Sequence, residues 1–225
     1  MKSIPLIAEE QIHRWQVLHK QAPEEVKRIP VVTVSREPGS GGRIVAQKLA
    51  ERLGFVVFHQ EVLHEMAKEA KISERVLQSL DERGLSILED WIASLVDSRH
   101  LWPDEYLHHL MHVIGTIGKL GQAVVVGRGA NFILPAERRF RVRIIAPRKL
   151  RVHHVAREFG LTEKDAERRI IKTESDRQAF VRKYFYADIA DPTNYDLVVN
   201  TETFNLDRAV DVIAAAMGCV VECKL

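Results

Sequence analysis

The chain has 225 residues, 46% of them hydrophobic and 28% charged, a composition ordinary for a globular protein able to bury a sizeable core. A formal charge of +2 makes no demand for a nucleic-acid partner, and no apolar run approaches the roughly 20 residues that cross a bilayer, so neither nucleic acid nor membrane is expected as a partner. The opening MKSIPLIAEEQIHRW lacks the sustained apolar core of a secretion signal, which makes the cytoplasm the expected setting.

In chain order, residues 4–27 place Ile7, Ile12, Trp15 and Leu18 near one helical face, and Pro23 and Pro30 bracket the link that follows. This N-terminal extension, residues 1–29, has two places to pack: on the main domain, or on a second subunit as a homodimer contact. Residues 31–34 form a short β-branched strand whose continuous apolar character fits a buried parallel sheet. A helix over 43–53 stops at Gly54, and FVVF at 55–58 is a second strand. Residues 61–120 are largely helical, with breaks near Gly84 and at Pro103. AVVVG (123–127) and FRVRIIA (140–146) are the third and fourth strands. A helix over 148–159 ends at Gly160, and Thr162 with Asp165 caps the next, which runs to about Tyr186. YDLVVNT (195–201) is a fifth strand, and residues 206–217 a last helix. Cys219 and Cys223, too few for a disulfide framework, are expected as ordinary residues of a terminal strand or helix end.

Strands alternating with helices predict an α/β domain with a mainly parallel sheet. Ligands of such sheets bind beyond the carboxyl ends of the strands, which singles out the turns after Val34, Val126 and Ala146. The first turn reads SREPGSGGR. Gly39, Ser40, Gly41 and Gly42 have little bulk, so their backbone N–H groups can surround an anion. The helix that follows adds its positive end, Arg43 sits there, and Ser35, Arg36 and Ser40 add donors. The alternative is a turn that needs glycine only for its backbone angles; the strand before it, the helix after it and the adjoining arginine favour phosphate.

Two further basic features stand out. Arg128 ends the third strand between Gly127 and Gly129, where it either holds an anion or caps a turn. In the helix after Thr162, Arg169, Thr173 and Arg177 are spaced by four and share a face, although the nearby acids could pair with these bases locally. His108 and His112 also stand four apart, but the context of a metal motif is missing and no metal ligand set is expected.

The blocks SREPGSGGRIVAQKLAERLG, VVVGRGANFIL, RVRIIAP, IIKTESDRQAF and YDLVVNT, in that order, resemble the cytidylate kinase-like branch of the P-loop nucleoside monophosphate kinases over about residues 30–217. The resemblance implies a P-loop NTPase-type parallel sheet flanked by helices within 30–225, with a helical monophosphate-binding insert at about 59–120 and a lid at about 148–190. It implies ATP and Mg²⁺ as cofactors and phosphoryl transfer to a nucleoside monophosphate, CMP or dCMP. Gly39 to Arg43 would hold the donor phosphates, Arg36, Arg128, Arg169 and Arg177 would hold the acceptor, and Arg43, Arg128 and Arg177 would neutralise charge in the transfer. Laid on the Walker pattern, Arg36 takes the place of the first Gly, Gly42 that of Lys and Arg43 that of Ser or Thr. After the second strand, His59 and Gln60 stand where the family places Asp and a basic residue, and Gly129 follows Arg128 where the family has Asp. These departures keep two other functions open: a nucleotide-sensing or partner-binding module of the same fold, and a kinase for another small phosphate acceptor.

Overall fold

Because successive side chains of a strand point to opposite faces, the strands sort their own residues into two cores. The computed structural model describes residues 3–21 and 31–224. Along it run α1 (Ile4–Gln21), β1 (Val31–Arg36), α2 (Gly42–Leu53), β2 (Val56–Phe58), α3 (Gln60–Lys68), α4 (Ala70–Leu77), α5 (Glu82–Arg99), α6 (Glu105–Leu120), β3 (Ala123–Val126), α7 (Ala130–Ile133), β4 (Arg139–Ile145), α8 (Arg148–Phe159), α9 (Glu163–Phe185), β5 (Leu197–Asn200) and α10 (Leu206–Lys224). The strands form one parallel sheet in the order β2–β3–β1–β4–β5. Val32, Val34, Val124, Val126, Val142 and Ile144 face α2 and α10. Val31, Phe58, Ala123 and Val125 face the opposite way, into a core shared with α1, α3 and α6.

The anticipated five strands and their helices are present, with local shifts. The break expected near Gly84 falls at residues 78–81, because Asp81 caps α5 and its carboxylate accepts from the Gly84 N–H at 2.7 Å. The last helix continues past Met217 to Lys224 and carries Cys219 on an exposed turn. Gly54 and Gly160 close α2 and α8 in the left-handed conformation, and the Thr162 hydroxyl accepts from the Asp165 N–H at the start of α9, as the sequence predicts. The expected link at Pro23 and Pro30 lies outside the described residues.

The N-terminal helix packs on its own domain. Ala8, Ile12 and Trp15 are buried in the core that contains α3 and α6. The Trp15 indole meets Phe58 edge to face at 5.6 Å, and its Nε1–H donates to the Gly121 carbonyl at 2.9 Å. Gln16 donates to Ser79 at 2.6 Å and Arg75 pairs with Glu9 at 2.8 Å, tying α1 to the α4 region. A helix held by a fully buried tryptophan is integral to stability. Trp15→Ala is expected to lower the unfolding free energy by about 3–5 kcal/mol in denaturant titrations, whereas a loosely appended helix would leave it nearly unchanged.

Candidate functional site

The register of the sheet assembles the site. Val34 pairs with Val126 and Arg36 with Ile144, so β1, β3 and β4 end at one level. The segments that leave them, 37–42, Gly127–Gly129 and Ala146–Pro147, therefore meet beyond the carboxyl edge, where α/β sheets bind ligands.

The glycine loop leads straight into α2. Gly41 is the N-cap residue in the left-handed conformation, and no side chain caps the helix. Among the described residues, the N–H groups of Gly39, Gly41, Gly42 and Arg43 have no acceptor. Four free amides at the positive end of a 12-residue helix form a concavity suited to a phosphate. Ser40, read from the sequence as a donor to the ligand, is fully buried, and both its N–H and its hydroxyl go to the Glu37 carbonyl, at 3.3 and 2.8 Å. Both donors are thereby committed within the loop. The Arg43 side chain is exposed on the first turn of α2, without a hydrogen-bond or ion-pair partner among the described residues.

Beside the loop lies a cavity of about 340 Å³, with Arg36, Arg128, Asn131, Asp176, Arg177 and Phe180 in its wall. Arg36 donates to the Gln60 side chain at 2.7 Å, and Arg177 donates to the Arg36 carbonyl at 2.8 Å. Burial, followed by the charges of Arg177, Arg128 and Arg43, pushes the Arg36 guanidinium down to about 9 against the opposing pull of Glu61. Burial, followed by Arg143, pushes Arg177 down to about 10. Both shifts report burial first, and neighbouring positive charge second. Arg128 lies over the Phe180 ring at 5.2 Å, and its Nε, the Arg177 Nε and the Asn131 Nδ2 are buried without partners among the described residues.

Arg128 reaches the cavity on a strained backbone. Gly127, Arg128 and Gly129 all have positive φ, 82°, 52° and 70°, and the Ala130 N–H closes the turn on the Gly127 carbonyl at 3.2 Å. This is a type I′ turn, whose two central positions favour glycine. Gly129 meets that demand, while arginine occupies the other position.

The structure thus brings together Arg36, Arg128, Arg177 and the loop, all singled out from the sequence. Arg169 lies apart: its guanidinium stacks on Phe159 at 4.1 Å and is absent from the cavity wall, although Thr173 and Arg177 of the same face line it. Asn131 and Asp176 are cavity residues that the sequence did not single out, and Gln60, marked there only as a departure from the family pattern, also lines the cavity. Two positions after His59, Glu61 places a carboxylate on the first turn of α3. Burial opposes its ionisation, but its own backbone hydrogen bond, Arg43, Gln60 and Arg36 outweigh that and hold the carboxyl below its ordinary value.

His59 is driven down to about 4 by burial first and then by Arg43 and Arg36, so it is a neutral imidazole at neutral pH. The unfolded chain takes up a proton near the ordinary value of 6.5 that the folded chain refuses until about 4, so this residue lowers stability progressively as pH falls through that window. His59→Gln removes the contribution. Denaturant midpoints taken at about pH 7 and about pH 4.5 are expected to separate less in the variant than in the wild type; equal separations would place His59 in water.

The comparisons with known proteins agree with this geometry. The cytidylate kinase-like family matches residues 31–203. A cytidylate kinase of Methanopyrus kandleri is 26% identical over 194 residues, 85% of this chain and 95% of that protein. A cytidylate kinase of Pyrococcus furiosus is 27% identical over 188 residues, 83% and 88% of the two chains. An uncharacterized protein from Eubacterium ventriosum shares the fold, with a TM-score of 0.64 at 22% identity over 84% of this chain and 98% of its own. With its five parallel strands, its glycine loop between β1 and α2, and a family match across more than three quarters of its length, this chain has a P-loop NTPase-type fold and belongs to the cytidylate kinase-like family.

Proposed function

We propose that the protein transfers a phosphoryl group from ATP to a nucleoside monophosphate, CMP or dCMP, in the cytoplasm. One observation supports this reading: Arg128 Nε, Arg177 Nε and Asn131 Nδ2 are buried donors without acceptors among the described residues, and all three side chains line one cavity that also holds Arg36. A buried donor left unpaired costs about 1–3 kcal/mol, and a phosphate offers acceptors to several donors at once. The relatives named cytidylate kinases support cytosine as the base.

In this mechanism the free amides of Gly39, Gly41, Gly42 and Arg43 hold the terminal phosphates of ATP, and the Arg43 side chain adds charge. Arg36, Arg128 and Asn131 hold the acceptor phosphate, and Phe180 supplies an apolar wall. Arg177, on the long helix α9, neutralises charge as the phosphoryl group passes. An oxygen of the acceptor phosphate is the nucleophile, so catalysis rests on positioning and electrostatics. Arg169 takes part only if α9 moves relative to Phe159. Arg43 stands where the hydroxyl that helps hold Mg²⁺ would be, so a bound ion would be held mainly through the nucleotide's phosphate oxygens, where it would help neutralise charge.

A second reading, a nucleotide-binding module without turnover, is favoured by the same Arg43 and by the neutral His59. Arg177 separates the two. In a kinase, Arg177→Ala lowers the rate of ADP formation by about 10³-fold while ATP affinity changes little. Unaltered turnover in the variant would remove Arg177 from the reaction, and tight ATP binding with no turnover of any monophosphate by the wild type would leave the binding module.

Arg128 gives a second test, because its position favours glycine. Arg128→Gly and Arg128→Ala are both expected to weaken CMP binding, yet thermal and denaturant unfolding should find the glycine variant more stable than the alanine variant by about 1 kcal/mol. Equal stabilities would mean that the turn is unstrained.

A further inference from the structure

The loop lacks the lysine that usually organises a site of this kind, yet its amides are already set for an anion. The cause lies on the outside of the loop. Arg177 donates to the Arg36 carbonyl at 2.8 Å, His154 Nδ1 to the Gly39 carbonyl at 2.9 Å, and the Thr201 hydroxyl to the Ser40 carbonyl at 2.8 Å, with Arg151 Nη1 3.5 Å from the Pro38 carbonyl. In a trans peptide the C=O and the next N–H point in opposite directions. A donor that holds the Ser40 carbonyl from outside therefore aims the Gly41 N–H inward, and Gly41 is one of the amides without an acceptor.

Thr201 is built to hold still. It is 9% exposed, its N–H donates to the Ile145 carbonyl at 3.0 Å, and its hydroxyl also lies 3.2 Å from that carbonyl. It is thus fastened to the end of β4, with β5 leading into it. On the other flank α8 presses on Gly39 so closely that an added Cβ would stand 2.6 Å from the Arg151 carbonyl oxygen. Arg151, 5% exposed, is fixed by the Ala146 carbonyl at 2.7 Å and by Glu174 at 2.5 Å, with Glu37 of the loop at 3.2 Å. A carbonyl only accepts, so His154 carries its proton on Nδ1 when it bonds Gly39.

We propose that Thr201 is a positioning residue of the glycine loop: by holding the Ser40 carbonyl outward it aims the Gly41 N–H at the anion, and His154 braces the neighbouring Gly39 carbonyl. This rests on the assignment of residues 39–43 to the donor phosphates. Thr201→Val keeps the shape and removes the hydroxyl, Thr201→Ser restores the hydroxyl, and His154→Leu against His154→Asn repeats the contrast from the other flank.

Two readouts test the role: the amide resonance and exchange rate of Gly41 in the ligand-free protein, and the affinity for inorganic tripolyphosphate. In Thr201→Val the Gly41 amide is expected to shift and exchange faster, and affinity to fall about three- to tenfold, as one neutral hydrogen bond allows. Thr201→Ser should recover both at a similar thermal midpoint. A Gly41 amide and an affinity both unchanged in Thr201→Val would overturn the proposal, as would a serine variant as impaired as valine. If Thr201→Val does not fold, the His154 pair decides: a Leu variant with unaltered loop amides overturns the bracing. If the Gly41 amide responds to Thr201→Val but tripolyphosphate fails to bind the wild type, the positioning role stands and the donor-phosphate assignment falls.

Discussion

Positive charge gathered in one cavity, with no ion-pairing carboxylate among the described residues, is the constraint on which this site depends. Arg36, Arg128 and Arg177 share one cavity, and none forms an ion pair among the described residues. The acid closest in sequence to Arg177, apart from Asp176, is Glu174, and it is committed to Arg148 and Arg151 at 2.9 and 2.5 Å. Guanidinium groups gathered out of water are stabilised by an anion, which makes this cavity suited to one. The strained turn at Arg128 fits the same logic. Unfavourable backbone geometry persists where surrounding structure enforces it, and it gathers at sites that bind.

The loop solves a related problem by different means. A lysine would supply charge and a point of organisation from within. Here charge comes from arginines on three other elements, and orientation comes from donors that grip the loop's carbonyls from outside. Backbone amides aimed by fixed neighbours need no reorganisation when a ligand arrives, which is the property that makes such donors effective in electrostatic stabilisation. The hydrogen bonds that hold the loop from outside therefore come from α8, α9 and the residue after β5, and not from side chains of the glycine run.

That distribution decides what could be read from the sequence. Strands announced themselves as β-branched runs, Gly54 and Gly160 as helix stops, and Thr162 as a cap, because those signals are local. The positions of the glycine loop, Arg128 and Arg177 are legible for the same reason: each sits at a strand end or on a regular helical spacing. Arg169 was placed on the right helical face, but Phe159, on the preceding helix, captures its guanidinium, a contact that spacing cannot foresee. Ser40 looked like a ligand donor until the turn folded its hydroxyl back on Glu37. Gln60, Asn131 and Thr201 are ordinary polar residues whose roles exist only through partners distant in sequence, 161 positions away for Thr201 and Ser40. The extra turns of α10 were hidden by the β-branched pair after Cys219, which weakly disfavours helix and was overridden.

The packing of α1 has a consequence for how the chain is made. Trp15 leaves the ribosome before its partner, because the carbonyl that its indole meets belongs to Gly121, 106 residues later. At synthesis rates of about 5–20 residues per second, the helix waits roughly 5–20 s for that partner. During that interval the indole and the apolar stripe around it stay uncovered, and the contact that closes them is strongly non-local, which slows folding. The apolar face of α1 therefore stays open to self-association until α6 and β3 are complete.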